Sequence, residues 1–218
     1  MTDQRVDDIR LEIRDFIATV IFNRPSDRNS LTQQTLTNLE RVLNQVLPDP
    51  LIRSIVFTGT DDVFLSGANI GELTRLDQQT ASRFSERGQQ LFQRIASSTQ
   101  TTIAAINGYC MGGGLDFALA CDIRIASKDA QFAHPGARLG IITGWGGTQR
   151  LPRVIGMSRA LELFTTTRRL KSEEALQCGL ITEIYDPVLA RAWELAEQIS
   201  IKSSLGNELF PSDNPQSS

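Results

Sequence analysis

The sequence predicts an α/β fold in one domain, on three observations. Short apolar runs such as "SIVFTG" and "TTIAAI" have the length and hydrophobicity of buried strands. Segments of helical period are interleaved with them. The chain has 218 residues, no linker-like boundary and no convincing repeat, so it can build one sizeable core.

Taken in order, "IRLEIR" and "FIATVIF" (9–22) read as two strands turned at Asp15. A polar loop, "NRPSDRNS", precedes a helix over 32–46 that carries Leu36, Leu39 and Leu43 at helical spacing, with Ser30 or Thr32 as N-cap. "RSIVFTG" is a strand stopped by Gly59, and "TDDVFLSGANIGEL" a loop leading to a polar-faced helix over 80–98. "TTIAAI" is a strand running into the glycines of "NGYCMGGGLDFALACD" and a short helix through Ala120. "DIRIAS" and "AQFAH" are short strands. A Gly-rich loop (136–147) leads to helices over 148–155, 158–166 and 172–178. "LITEIY" is a last strand, and 187–200 a last amphipathic helix with Pro187 in its first turn. Residues 201–218 read as a polar, disordered tail, which leaves 1–200 as the domain.

Composition narrows the chemistry. A net charge of −3 advertises no polyanion partner, so nucleic-acid binding is not expected. The N-terminus is polar and mixed in charge, which is unlike a signal peptide, and no apolar stretch approaches membrane-spanning length. Three cysteines without paired spacing and a single histidine make a zinc site unexpected and fit a reducing, cytoplasmic compartment.

Two loops stand out. A strand entering Gly112-Gly113-Gly114 ahead of a helix places bare N–H groups at the positive end of a helix dipole, a place for an oxygen that is becoming an anion. The same glycines also suit a tight turn with close helix–strand packing. No Lys-Ser/Thr follows them and their spacing is not the dinucleotide fingerprint. Ser66-Gly67-Ala68, ahead of Asn69, is a second small-residue loop that lets a ligand approach the backbone.

Together these segments resemble the enoyl-CoA hydratase/isomerase (crotonase) superfamily. The resemblance is carried by "FNRPSDRNSLT" (22–32), "FLSGANI" (64–70), "INGYCMGGGLDFALACDIRIAS" (106–127), "GWGGTQRLPRVIG" (144–156) and "LKSEEALQCGLITEI" (170–184), in the family's order. It implies a crotonase-like (ClpP/crotonase) spiral of ββα units and homotrimers that often pair into hexamers. The implied substrate is an acyl-CoA thioester, with coenzyme A part of the substrate and no separate cofactor. The backbone N–H groups of Ala68 and Gly113 are the implied oxyanion hole, each such donor being worth about 3–4 kcal/mol of transition-state stabilisation. CoA is implied to lie along Arg28, Ser30 and Leu31 and along Ser66, Gly67, Asn69 and Ile70, beside Gly112. Arg28 is equally readable as a solvated loop arginine. Tyr109, Thr143 and Trp145 are candidates for the acyl pocket, against core or loop packing.

The sequence departs from the family in two places. The family's hydratases use two glutamates; here the first position is Asp116 and the second is Gly136. Asp116 is shorter by a methylene, so it reads either as an acid/base or as a first-turn partner of the helix dipole. His134, two residues before Gly136, is the second acid/base candidate. Hydration suits two positioned groups, whereas moving a double bond or losing CO₂ can run with one proton carrier, so isomerase or decarboxylase chemistry is favoured. The family's further C-terminal helices are replaced by the polar tail, which weakens the expectation of trimers and tight CoA binding. A serine hydrolase lacks its nucleophile elbow and a Rossmann oxidoreductase its fingerprint. The rival reading is a non-catalytic, crotonase-like acyl-CoA binder.

Overall fold

The structure is a computed structural model that describes residues 2–6 and 8–209. The chain opens on an antiparallel meander, β1 (Thr2–Val6), β2 (Ile9–Arg14) and β3 (Ile17–Phe22), with Asp15 at φ 53° turning β2 into β3. β4 (Ser30–Leu31) and α1 (Gln33–Val46) follow, and Thr32 is the N-cap, its side chain accepting from Thr35 N–H. β5 (Ser54–Thr58) pairs parallel with β3. β6 (Val63–Leu65), β7 (Gly67–Ala68), α2 (Ile70–Leu73) and α3 (Gln78–Ala96) lead to β8 (Thr101–Ile106). β9 (Tyr109–Met111) and α4 (Gly113–Ala118) lead to β10 (Ile123–Ala126) and β11 (Gln131–Ala133). α5 (Gly147–Ile155), α6 (Met157–Thr166), β12 (Leu170–Lys171), α7 (Ser172–Gln177), β13 (Glu183–Ile184) and α8 (Val188–Leu209) complete the order.

A seven-stranded sheet runs β1-β2-β3-β5-β8-β10-β13 and a four-stranded sheet runs β12-β11-β9-β6. The chain alternates between them. β5 and β6, β8 and β9, and β10 and β11 each place one strand in the large sheet and the next in the small one. β5 and β8, covered on both faces, are almost wholly buried, hence their unbroken apolar runs. α8 covers one face, packing Val188, Ala192 and Ala196 over Val56, Ile103 and Ile125.

The larger core lies between the sheets and the other helices. Phe117 of α4 is its hub, with the rings of Phe22, Phe57, Phe64 and Phe92 at centroid distances of 5.0–6.1 Å. Each such pair contributes about 0.5–1.5 kcal/mol beyond burial. The cluster therefore fixes α4, and with it the neighbouring Asp116.

Several expectations need correction. The 60–73 segment is not a loop throughout; it holds β6, β7 and α2. β1, β4, β9 and β12 were not expected from the sequence, because strands of two or three residues show no measurable period and β1 is a polar edge strand. The last helix does not stop near Ser200 but runs on to Leu209, and the expected tail from 210 onward lies outside the described residues.

Candidate active site

The two glycine loops meet. β4 pairs with β7 (Ser30 with Gly67, Leu31 with Ala68), which anchors the 66–68 loop to the 30–31 segment. Gly67 adopts φ 95°, and a Cβ there would lie 2.9 Å from Gly113 N and 2.7 Å from the Met111 carbonyl oxygen. A Cβ on Gly113 would lie 3.5 Å from Ala68 N. The approach at Gly67, under 3.0 Å and at positive φ, is one that suits glycine. These approaches bring Ala68 N beside the first residue of α4. Asn69 N-caps α2, accepting from Glu72 N–H at 3.1 Å.

Gly112, at φ 53°, turns β9 into α4, and Asp116 sits in the first turn, fully buried. Its carboxylate does not cap that helix. Oδ2 accepts from the Thr143 hydroxyl and Oδ1 lies 3.1 Å from His134 Nε2. The 3.1 Å approach has hydrogen-bond length but not hydrogen-bond alignment, so Oδ1 and Nε2 are both buried without a hydrogen-bond partner. An unsatisfied buried pair calls for an explanation, and a working role is one. Gly147, first residue of α5, leaves the space that Oδ1 occupies, and a Cβ there would displace the Asp116 carboxylate.

His134 leads into a 3₁₀ turn, Pro135–Leu139, with its ring 5.0 Å from that of Phe164. Gly136 N-terminally anchors the next bend: its carbonyl accepts from Ile141 N–H at 3.1 Å, and a Cβ at 136 would lie 2.7 Å from the Ile141 carbonyl oxygen. A side chain at 136 would require this bend to shift.

These groups open on one cavity of about 630 Å³. Ser66, Gly67, Ala68, Ile70, Gly112, Gly113, Asp116, His134 and Gly136 all line it, as do Thr143 and Trp145. Trp145 is wedged between α3 and α4. Its Nε1 donates to the Phe84 carbonyl at 3.3 Å, and a Cβ on Gly113 would fall 2.5 Å from its ring. Asp116 and His134 are the only titratable side chains on the wall among the described residues; no Lys or Arg lies there.

Five expected residues lie off this wall. Leu31 is core, Ser30 donates to Asp27 Oδ2 at 3.0 Å, and Asn69 is spent as a cap. Arg28 stacks on Tyr109 at 4.8 Å, with Arg169 at 5.4 Å from the same ring. Residues that sequence reasoning passed over include Phe84, Leu161 and Phe164, also on the wall. The i, i+3 spacing of Leu161 and Phe164 is an amphipathic signal, but it does not say what the apolar face meets.

A family model described as enoyl-CoA hydratase/isomerase matches residues 12–210. The chain is 36% identical over 197 residues to a short-chain-enoyl-CoA hydratase of Clostridium acetobutylicum, covering 89% of this chain and 76% of that protein. It is 35% identical over 206 residues to a crotonyl-CoA hydratase of Syntrophomonas wolfei, covering 93% and 79%. The crystal structure of an enoyl-CoA hydratase from Bacillus anthracis superposes with a TM-score of 0.85 at 33% identity, over 89% of this chain and 77% of that one. That likeness bears out the crotonase-like α/β architecture. The chain belongs to the enoyl-CoA hydratase/isomerase family.

Proposed function

We propose that the protein is an acyl-CoA enzyme that moves a double bond along an enoyl thioester through an enolate. The observation that carries this reading is Gly136: the wall offers one carboxylate, Asp116, and a side chain at the position of a second would require the bend to shift. Relatives named as enoyl-CoA hydratases support the thioester class.

The N–H groups of Ala68 and Gly113 hold the thioester oxygen as it gains negative charge. A proton leaves the α-carbon of a 3-enoyl thioester, Asp116 stores it with His134 alongside, and it returns at the γ-carbon to give the 2-enoyl thioester. One carrier serves both steps. Hydration would need a second group positioned to activate water, and the other titratable group on the wall, His134, is turned to Asp116 Oδ1. Decarboxylation of a malonyl-type ester is less well served, since its carboxylate would face Asp116 with no Lys or Arg on the wall to hold it. CoA extends along Ser66–Ile70 towards Arg28, which Tyr109 holds in place.

The homotrimer belongs to the same reading. Leu139, Ile141, Ile142 and Leu161 rim the cavity at 45–68% exposure, an apolar lip suited to cover by a neighbouring subunit. Light scattering on purified protein tests it.

The test of the chemistry is turnover of 3-enoyl-CoA and malonyl-type CoA esters by wild type and Asp116→Asn. Conversion of the 3-enoyl ester by wild type alone supports the proposal. Equal conversion by Asp116→Asn contradicts it, and binding without turnover favours the non-catalytic acyl-CoA binder.

A further inference from the structure

Asp116 has a geometric difficulty as a proton carrier. It is fully buried, its Oδ1 is turned toward His134 and Gly147, and its side chain is a methylene shorter than a glutamate. His134 also borders the cavity, but it is 3% exposed and its Nε2 is buried facing Oδ1. Of the wall residues in contact with Asp116, Thr143 is the one that both hydrogen-bonds the carboxylate and is more than marginally exposed. Its hydroxyl donates to Asp116 Oδ2, and the residue is half-buried on the cavity wall. The wall's other hydroxyls, on Ser66, Ser85 and Thr165, make no hydrogen bond to Asp116.

We propose that the Thr143 hydroxyl is a catalytic relay that carries the proton between substrate carbon and the buried Asp116. The inference rests on the proposed enolate chemistry. In the forward step the substrate C–H bond breaks and its proton passes to Thr143 Oγ1. In the same step the hydroxyl's own proton passes to Asp116 Oδ2, and the C–H electron pair becomes the enolate. The return step reverses both transfers at the γ-carbon, leaving Thr143 and Asp116 as they began. The hydroxyl thus supplies the reach that the missing methylene would have given. The residues that follow it are tied to α3, since the Gly144 carbonyl accepts from Gln89 Nε2 at 2.7 Å and Trp145 Nε1 donates to the Phe84 carbonyl.

The experiment compares Thr143→Val, which keeps the shape and removes the hydroxyl, with Thr143→Ser, which keeps the hydroxyl. Turnover of 3-enoyl-CoA and binding of the unreactive butyryl-CoA are measured for each. Thr143→Val is expected to lose kcat by on the order of a hundredfold or more, with butyryl-CoA affinity unchanged. Thr143→Ser is expected to recover most of it, which a merely structural threonine would not require. Should Thr143→Val fail to fold, Thr143→Ala carries the same comparison. A kcat for Thr143→Val within about threefold of wild type overturns the relay, as does a loss confined to binding. Asp116→Asn separates the two levels of the argument. If it is inactive while Thr143→Val turns over normally, only the relay fails; if it is active, the enolate reading itself fails.

Discussion

His134 Nε2 lies 3.1 Å from Asp116 Oδ1, with both side chains buried and neither atom completing a hydrogen bond. A polar pair left in this condition is destabilising unless something else is gained. Replacing His134 by Leu removes one of the two unpartnered buried atoms and leaves Oδ1 as it was, so a large loss of stability is not expected. His134→Leu is expected to lower turnover of 3-enoyl-CoA by roughly ten- to a hundredfold, with His134→Gln less affected. Steady-state kinetics and urea unfolding check both; a His134→Leu enzyme of normal kcat would leave the histidine a packing residue.

Gly136→Glu restores the carboxylate of the family's hydratases in sequence only. Its Cβ would approach the Ile141 carbonyl oxygen to 2.7 Å, so the backbone must move. The expected result is a loss of stability of about 1–3 kcal/mol with no gain in hydration. Thermal unfolding and water addition to a 2-enoyl-CoA ester measure the two parts. A folded Gly136→Glu enzyme with strong hydratase activity would show that the loop is adaptable.

Gly113→Ala tests the oxyanion position. The added methyl would sit 2.5 Å from the Trp145 ring, which is itself held by Phe84 and by Phe92 at a centroid distance of 5.5 Å. Displacement of the indole or of the start of α4 moves the donor, and a misplacement of about 1 Å costs on the order of a hundredfold in rate. Loss of kcat together with a change in tryptophan fluorescence is expected. Unchanged kcat would remove Gly113 from the oxyanion hole.

The cysteines are predicted to be silent. Cys110, Cys121 and Cys178 are all buried, and burial pushes the Cys110 and Cys121 thiols well above their ordinary range, so neither of those two offers a reactive thiolate. A thiol reagent should label none of them in the native protein, all three after unfolding, and leave activity intact. Rapid native labelling would indicate an opening of α4 or α7.

The legible part of this protein was whatever repeats along the chain. β5 and β8 were readable because both of their faces are buried, and α1 and α3 because their periods run over several turns. β4, β7 and β9 were not readable, since two or three residues carry no period and their pairing is decided by distant segments. The same holds at the site. Gly113 and Ala68 could be named through the family resemblance of their motifs, and Gly136 from the carboxylate that this resemblance implies there. That Thr143 meets Asp116 across 27 positions of sequence is a product of where the 143–147 loop lands, and no local pattern announces it. Tyr109 shows the converse: an aromatic in the right motif faces Arg28 and Arg169 and not the cavity.

The central claim, that a single carboxylate confines the enzyme to shifting a double bond, is tested most directly by comparing isomerisation with hydration. Purified protein is given a short-chain 3-enoyl-CoA ester and, separately, the 2-enoyl ester, and products are separated by chromatography and weighed by mass spectrometry. The prediction is that the 3-enoyl ester becomes the 2-enoyl ester of unchanged mass faster than the 2-enoyl ester gains one water. Rapid hydration of the 2-enoyl ester with no isomerisation of the 3-enoyl ester would contradict it.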